Sequence, residues 1–166
     1  MRIALMVEGQ EDVDWSDWQG IAAATERSGL EGVFRSDHYS SVTGDARRGG
    51  LDAWTTIAAL GAVTEHIRLG TLVSPVTFRH PALLAKAVVT ADHISRGRVE
   101  LGIGAGWHEA EHQRWGFPFP PLRERMEILA EQVAVIDAMW TRAHVDFEGR
   151  HYRITDLDPR PRPWQR

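Results

Sequence analysis

Short apolar runs alternate along this chain with stretches whose apolar positions recur every three or four residues. Ile3–Val7, Gly32–Ser36, Ile67–Val73 and Val99–Ile103 read as strands, the first of them buried. Between them, Trp15, Trp18, Ile21, Ala22 and Thr25 keep helical spacing, with Asp14 placed to cap the start and Ser28-Gly29 to end the helix. Trp54, Ile57, Ala58 and Gly61 mark a second helix with a small-residue face. Leu84, Ala87/Val88, Ala91 and Ile94 form the stripe of a third, with Pro81 in its first turn. After Pro121, the residues Leu122, Met126, Leu129, Val133, Ile136 and Trp140 follow one another at intervals of 4, 3, 4, 3 and 4, the clearest amphipathic pattern in the chain. Val145–Ile154 alternates around Gly149 and predicts a hairpin; Pro159, Pro161 and Pro163 then impose extended chain.

The strands begin near residues 2, 32, 67 and 98. Separations of about 30–35 residues are the size of a βαβ unit, and four in a row predict an α/β fold with a parallel sheet. The sheet can be open and doubly wound, or part of a (β/α)8 barrel; a full barrel needs roughly 250 residues, and four units are half of one. Residues 1–142 then form the βα body, and residues 143–166 a hairpin and a Pro-rich connection.

Composition narrows the chemistry. At 166 residues, with 43% apolar and 25% charged positions, the chain has the makings of one globular domain. It has no cysteine, which removes disulfides, thiolate nucleophiles and Cys-ligated metals. A net charge of −4 supplies no basic field for nucleic acid. There is no apolar run long enough for a membrane span, and the start is strand-like rather than organised as a signal peptide, so a cytoplasmic protein is expected. Arginine outnumbers lysine eighteen to one, Lys86 being the single lysine.

Four segments carry candidate chemistry. Ser36-Asp37-His38 ends the second strand, and in parallel α/β folds function gathers at the carboxyl ends of strands. An Asp beside a His offers a proton-transfer pair near neutral pH; the alternative is a solvated loop. Gly102-Ile103-Gly104-Ala105-Gly106 ends the fourth strand and lets backbone approach a flat or phosphorylated ligand, or simply relieves a tight corner; Trp107 stands where a dinucleotide fingerprint needs its third glycine. His108-Glu109-Ala110-Glu111-His112 matches the zinc motif H-E-x-x-H literally, with Glu131 as an imaginable third ligand. However, Gly106 before it and Gly116 and Pro118 after it leave a short polar helix, read as exposed, that suits zinc poorly. Leu69–Pro75 closes the third strand with small and apolar residues that can floor a ring system or be plain buried strand.

Taken together, these segments resemble the luciferase-like monooxygenase family, particularly its actinobacterial branch that uses the deazaflavin coenzyme F-420. The resemblance rests on Ser36-Asp37-His38-Tyr39, on Leu69 to Pro81, on Leu84-Ala85-Lys86-Ala87, on Asp92 to Arg98, on Leu101 to Trp107, and on Phe147 to Tyr152 with the Pro-rich tail. It implies a TIM barrel of which this chain supplies the N-terminal half, the tail being the connection toward strand five. It implies an oxidoreductase that transfers hydride between coenzyme F-420, or alternatively FMN, and a small organic substrate, with or without oxygen incorporation. It implies His38 as the proton-transfer residue, and Asp37 as its orienter or a coenzyme contact. Leu72, Val73 and Ser74 would form the coenzyme platform, with a cis peptide at Leu72–Val73, and the Ala105–Gly106 backbone would lie against the coenzyme. The branch acting on sugar phosphates carries a catalytic Glu where this chain has Trp107, which points instead to an apolar pocket wall. A homo-oligomer is expected, with neither nucleic acid nor membrane as partner. The competing readings are a zinc peptidase built on His108, Glu109 and His112, and a non-catalytic truncated remnant.

Overall fold

The computed structural model describes residues 1–45 and 47–165. In chain order the elements are β1 (Ala4–Val7), α1 (Trp15–Ser28), β2 (Gly32–Arg35), α2 (Ala53–Val63), β3 (Arg68–Thr71), β4 (Ser74–Pro75), α3 (Pro81–Ser95), β5 (Val99–Glu100), β6 (Ile103–Gly104), α4 (Glu109–Trp115), α5 (Leu122–Thr141), β7 (Val145–Glu148) and β8 (Arg153–Leu157). The first sheet runs β1-β2-β3-β5, all parallel, and β4 pairs with β6 beyond it, also parallel. The helices follow the same order, α1 against α2, α2 against α3 and α3 against α5, so they form one layer. This is an open α/β sheet with no closed barrel among the described residues.

Local sequence explains the frame. Asp14 caps α1 reciprocally with Asp17, and Gly29 ends that helix in the left-handed conformation at φ 71°. Val33, Leu69 and Val99 sit side by side across the sheet and meet Trp18, Ile57, Leu60, Leu84 and Val88 from the helices. α2 and α3 approach closely at Gly61, where a Cβ would stand 3.0 Å from that of Ser95. On the opposite face Gly70 has no room for a side chain, since a Cβ would lie 2.3 Å from the Glu100 carbonyl oxygen.

Two apolar patterns are not buried as wholes. Ile3–Val7 was expected to be buried, yet Ala4, Leu5 and Met6 are exposed because β1 is the sheet's free edge. In α5 the buried set is Arg125, Gln132, Val135, Ile136, Ala138 and Met139, while Leu122, Met126 and Val133 are exposed. The polar members go inside because they have partners. Arg125 lies 3.9 Å over the Phe119 ring and donates to the Pro120 carbonyl; the Gln132 amide donates to the carbonyls of Val76 and Arg79. Ile94 of α3 is likewise exposed, and Ser95 takes the inner position. Among the described residues no helix is long and apolar enough to cross a membrane.

Glutamates fasten the loops by collecting rows of donors. Glu26 accepts from the backbone N–H groups of Glu65, His66 and Ile67, and Glu131 from those of Arg150, His151 and Tyr152 at the hairpin turn. Glu11 accepts from the hydroxyls of Ser41 and Thr43 and the amide of Val42. At Glu11, burial opposes ionisation, but those donors outweigh it and pull the carboxyl down to about 2. Glu26 and Glu131 are lowered by the same balance. A carboxyl lowered in the folded state contributes stability that is complete above its unfolded value, near 4.5, and is lost as pH falls toward the folded value. Thermal unfolding followed from about pH 6 to about pH 2 is therefore expected to show stability falling through the lower half of that range. In Glu131→Gln the fall should be shallower; identical profiles would contradict the assignment.

Candidate active site

β2 ends at Arg35, and the chain turns inward through Ser36 and Asp37, both buried, before His38 and Tyr39. Asp37 does not orient His38. Its carboxylate takes both Arg79 nitrogens, Nη1 at 2.6 Å and Nη2 at 3.1 Å, and accepts the Ser74 hydroxyl at 2.6 Å. Arg79 also donates to Asp52 at 2.7 Å and to the Tyr39 hydroxyl at 2.8 Å. Burial opposes the Arg79 charge, but the adjacent Asp37 outweighs it and holds the guanidinium ionised. Burial pushes the Tyr39 phenol up to about 12, and its hydroxyl is spent on Arg79 and Asp52, which leaves Tyr39 without a proton-transfer role at neutral pH.

The partner of His38 comes from 73 residues further along. Its Nδ1 lies 2.7 Å from Oε2 of Glu111, a side chain with no exposed surface. The other oxygen, Oε1, accepts the backbone N–H of Tyr39 at 2.6 Å and of Ser40 at 2.9 Å. Burial raises the Glu111 pKa, and these donors, His38 foremost, more than reverse it, so the carboxylate stays ionised below its usual range. The His38 ring also meets Trp107 edge-on at 5.7 Å and His108 at 6.1 Å.

The expectation that residues 108–112 form an exposed helix is corrected by the same contacts. Glu109 is exposed, but Glu111 and His112 are buried against the loop after β2 and the chain after β4. His112 Nδ1 donates to the His108 carbonyl at 2.8 Å, so in the neutral ring Nε2, 2.6 Å from Thr77 Oγ1, is the acceptor. Both ring nitrogens of His112 are thereby occupied, and Glu131, engaged with the hairpin, is no third ligand. Among the described residues no group of three or more His, Asp or Glu is arranged to hold a metal. Metal analysis of the purified chain is expected to return zinc far below stoichiometry; stoichiometric zinc that vanishes in His112→Ala would overturn this.

The third-strand segment breaks after Thr71 at a cis Leu72–Val73 peptide, the bond the resemblance singled out, and resumes as β4. Leu72 and Val73 are 54% and 39% exposed, which suits a platform. The Ser74 side chain is turned inward: its hydroxyl is fully buried between Trp54 Nε1 and the Asp37 carboxylate, which ties down the chain just after the Leu72–Val73 peptide. Ala105 and Gly106 are half-buried after β6, Gly106 at φ 80°, and Trp107 follows at 63% exposure. The carboxyl ends of β2, β3 and β6 thus present an imidazole on a buried carboxylate together with exposed apolar side chains. Sequence reasoning singled out His38, Leu72 and Val73, but not Glu111 and Arg79 as the partners of His38 and Asp37. No local signal separates Glu111 from Glu109, two positions away and equally acidic.

A sequence model of luciferase-like monooxygenases matches residues 2–166. The chain is 38% identical over 141 residues to a protein of Intrasporangium calvum named F420-dependent glucose-6-phosphate dehydrogenase, covering 83% of this chain and 42% of that one. A protein of Nocardia farcinica with the same name is 38% identical over 138 residues, covering 80% and 40%. Among solved structures, a monooxygenase from Streptomyces bottropensis superposes with a TM-score of 0.80 at 26% identity, over 100% of this chain and 51% of its own. An F420-dependent secondary alcohol dehydrogenase in complex with an F420-acetone adduct superposes at 0.86 over 98% and 49%, and at 22% identity shares the fold. The chain therefore spans about two-fifths of the length of these curated relatives and half that of these solved structures. With nearly every residue inside the family match, the chain belongs to the luciferase-like monooxygenase family.

Proposed function

We propose that this chain is the cofactor-facing half of a deazaflavin-dependent oxidoreductase, four βα units of a (β/α)8 barrel, acting on a small organic alcohol or carbonyl compound. The observation that carries the reading is His38, held by a buried carboxylate at the strand ends beside exposed Leu72, Val73 and Trp107. The residues present fit a flat ring system. Two large aliphatic side chains stand in solvent on either side of one peptide, and the Ala105–Gly106 backbone beside them carries little side chain.

The coenzyme, when bound, supplies the hydride chemistry. The protein's own share is positional and protonic. Leu72 and Val73 would lie against the ring, Ala105 and Gly106 would give it backbone contacts, and Trp107 would wall the substrate side and exclude water. His38 takes the proton of a substrate hydroxyl at Nε2 during oxidation, or returns it in reduction. Asp37, committed to Arg79 and Ser74, supports this surface from beneath instead of touching the coenzyme through its carboxylate. The relatives named glucose-6-phosphate dehydrogenases do not fix the substrate, since the Trp107 indole offers neither the charge nor the acid of a glutamate and favours an apolar substrate.

Fluorescence titration of the chain with coenzyme F-420 and, separately, with FMN tests the reading. Saturable binding of the deazaflavin, tighter than FMN and weakened by Val73→Asp, is expected. Tight FMN binding with no affinity for the deazaflavin would replace the coenzyme; no binding of either would favour the remnant.

A further inference from the structure

Glu111 does more in this geometry than fill a buried space. It is ionised, has no proton to give, and meets His38 at Nδ1. A hydrogen bond there requires the proton on Nδ1. We propose that Glu111 is a positioning residue that fixes neutral His38 as the Nδ1–H tautomer and leaves Nε2 as a bare acceptor toward the open strand ends. Free histidine side chains prefer the opposite tautomer, so the assignment is a departure that the fold must impose. Among the described residues Glu111 is the one hydrogen-bond partner of Nδ1; Trp107 meets the ring edge-on, and His108, just before α4, lies at a centroid distance of 6.1 Å.

The two oxygens of Glu111 divide the work. Oε1 holds the Tyr39 and Ser40 amides, which fixes the loop; Oε2 holds the imidazole, which fixes the proton. That division makes Glu111→Gln informative, because a primary amide has one acceptor oxygen and one donor nitrogen. Its oxygen belongs with the two backbone N–H donors, since an NH2 group there would face both of them. The NH2 then faces Nδ1 and can be accepted only if the ring proton moves to Nε2. The substitution keeps shape and loop contacts and reverses the tautomer. In a serine-protease triad the equivalent Asp→Asn reversal leaves the geometry intact and lowers kcat about 10⁴-fold.

The inference rests on the proposed function only for what the bare Nε2 is used for; the tautomer itself is readable without turnover. Long-range 1H–15N spectra of the 15N-labelled chain, taken at the alkaline end of a titration, report it directly. The His38 signals are assigned by their loss in His38→Ala. Wild type is expected to show a pyrrole-type Nδ1 and a pyridine-type Nε2, and Glu111→Gln the two shifts exchanged. A wild-type His38 protonated at Nε2, or the same spectrum in both proteins, overturns the proposal. If Glu111→Gln does not fold, the wild-type spectrum alone decides: a pyridine-type Nε2 supports the assignment and a pyrrole-type one defeats it. A chain with the expected tautomer that binds no deazaflavin keeps Glu111 as a positioning residue and removes the coenzyme reading instead.

Discussion

Replacing His38 with alanine is expected to lower kcat by about 10²–10⁴-fold in a form of the protein that turns over, with coenzyme affinity changed far less. The size follows from what a positioned general base contributes. The expected selectivity rests on the placement of His38 beside Glu111 and Trp107, with Leu72 and Val73, the side chains proposed to face the coenzyme, at a different strand end. The His38 side chain is 11% exposed but stands outside the buried apolar cluster, so the substitution removes volume beside that cluster and leaves it packed. Steady-state kinetics with a substrate of the proposed class, together with a titration of the proposed coenzyme on the same variant, separate the roles. A loss confined to coenzyme binding would make His38 a ligand contact. Unchanged kinetics would remove it from the reaction.

Replacing Arg79 with methionine is expected to destabilise the chain by about 3–5 kcal/mol, the cost of leaving a buried charge without its partner. Asp37 has 1% of its side chain exposed, and the two Arg79 nitrogens are its only cationic partners among the described residues. The Ser74 hydroxyl that remains cannot neutralise it. The double variant Asp37→Asn/Arg79→Met is expected to recover part of the loss, because no unpaired charge is then buried; the two sites are in contact and their effects are not additive. Urea unfolding of the wild type, both single variants and the double variant completes the cycle. A cost for Arg79→Met below about 1 kcal/mol would place the pair with solvated surface bridges instead. Because Ser74 follows the Leu72–Val73 peptide directly and bonds to Asp37, the single variant is also expected to weaken coenzyme binding, whereas a change on the far face of α5 is not.

What the sequence determined by itself is what short-range physics decides. Helices and strands follow from spacing along the chain, so the alternation of elements, the Asp14 cap, the Gly29 stop, Pro81 in the first turn of α3 and the hairpin around Gly149 were all legible. Parallel pairing follows from the size of the intervals between strands. His38, Leu72 and Val73 could be placed because each stands at the end of a strand, a position that spacing fixes and that the family resemblance endows with a role. Tertiary structure alone decided which polar residues go inside. Asp37, Arg79, Glu111, His112 and Gln132 carry hydrophilic signals indistinguishable from those of exposed neighbours, and each is buried or nearly so with a hydrogen-bond partner distant in the chain. Glu111 and His38 are 73 residues apart, a distance no periodicity spans. The same cause splits the apolar stripe of α5, of which Ile136 is buried while Leu122, Met126 and Val133 are exposed. It also misplaced β1, an apolar run left exposed because a strand is buried only when a neighbour covers it, and among the described residues none covers this edge of the sheet.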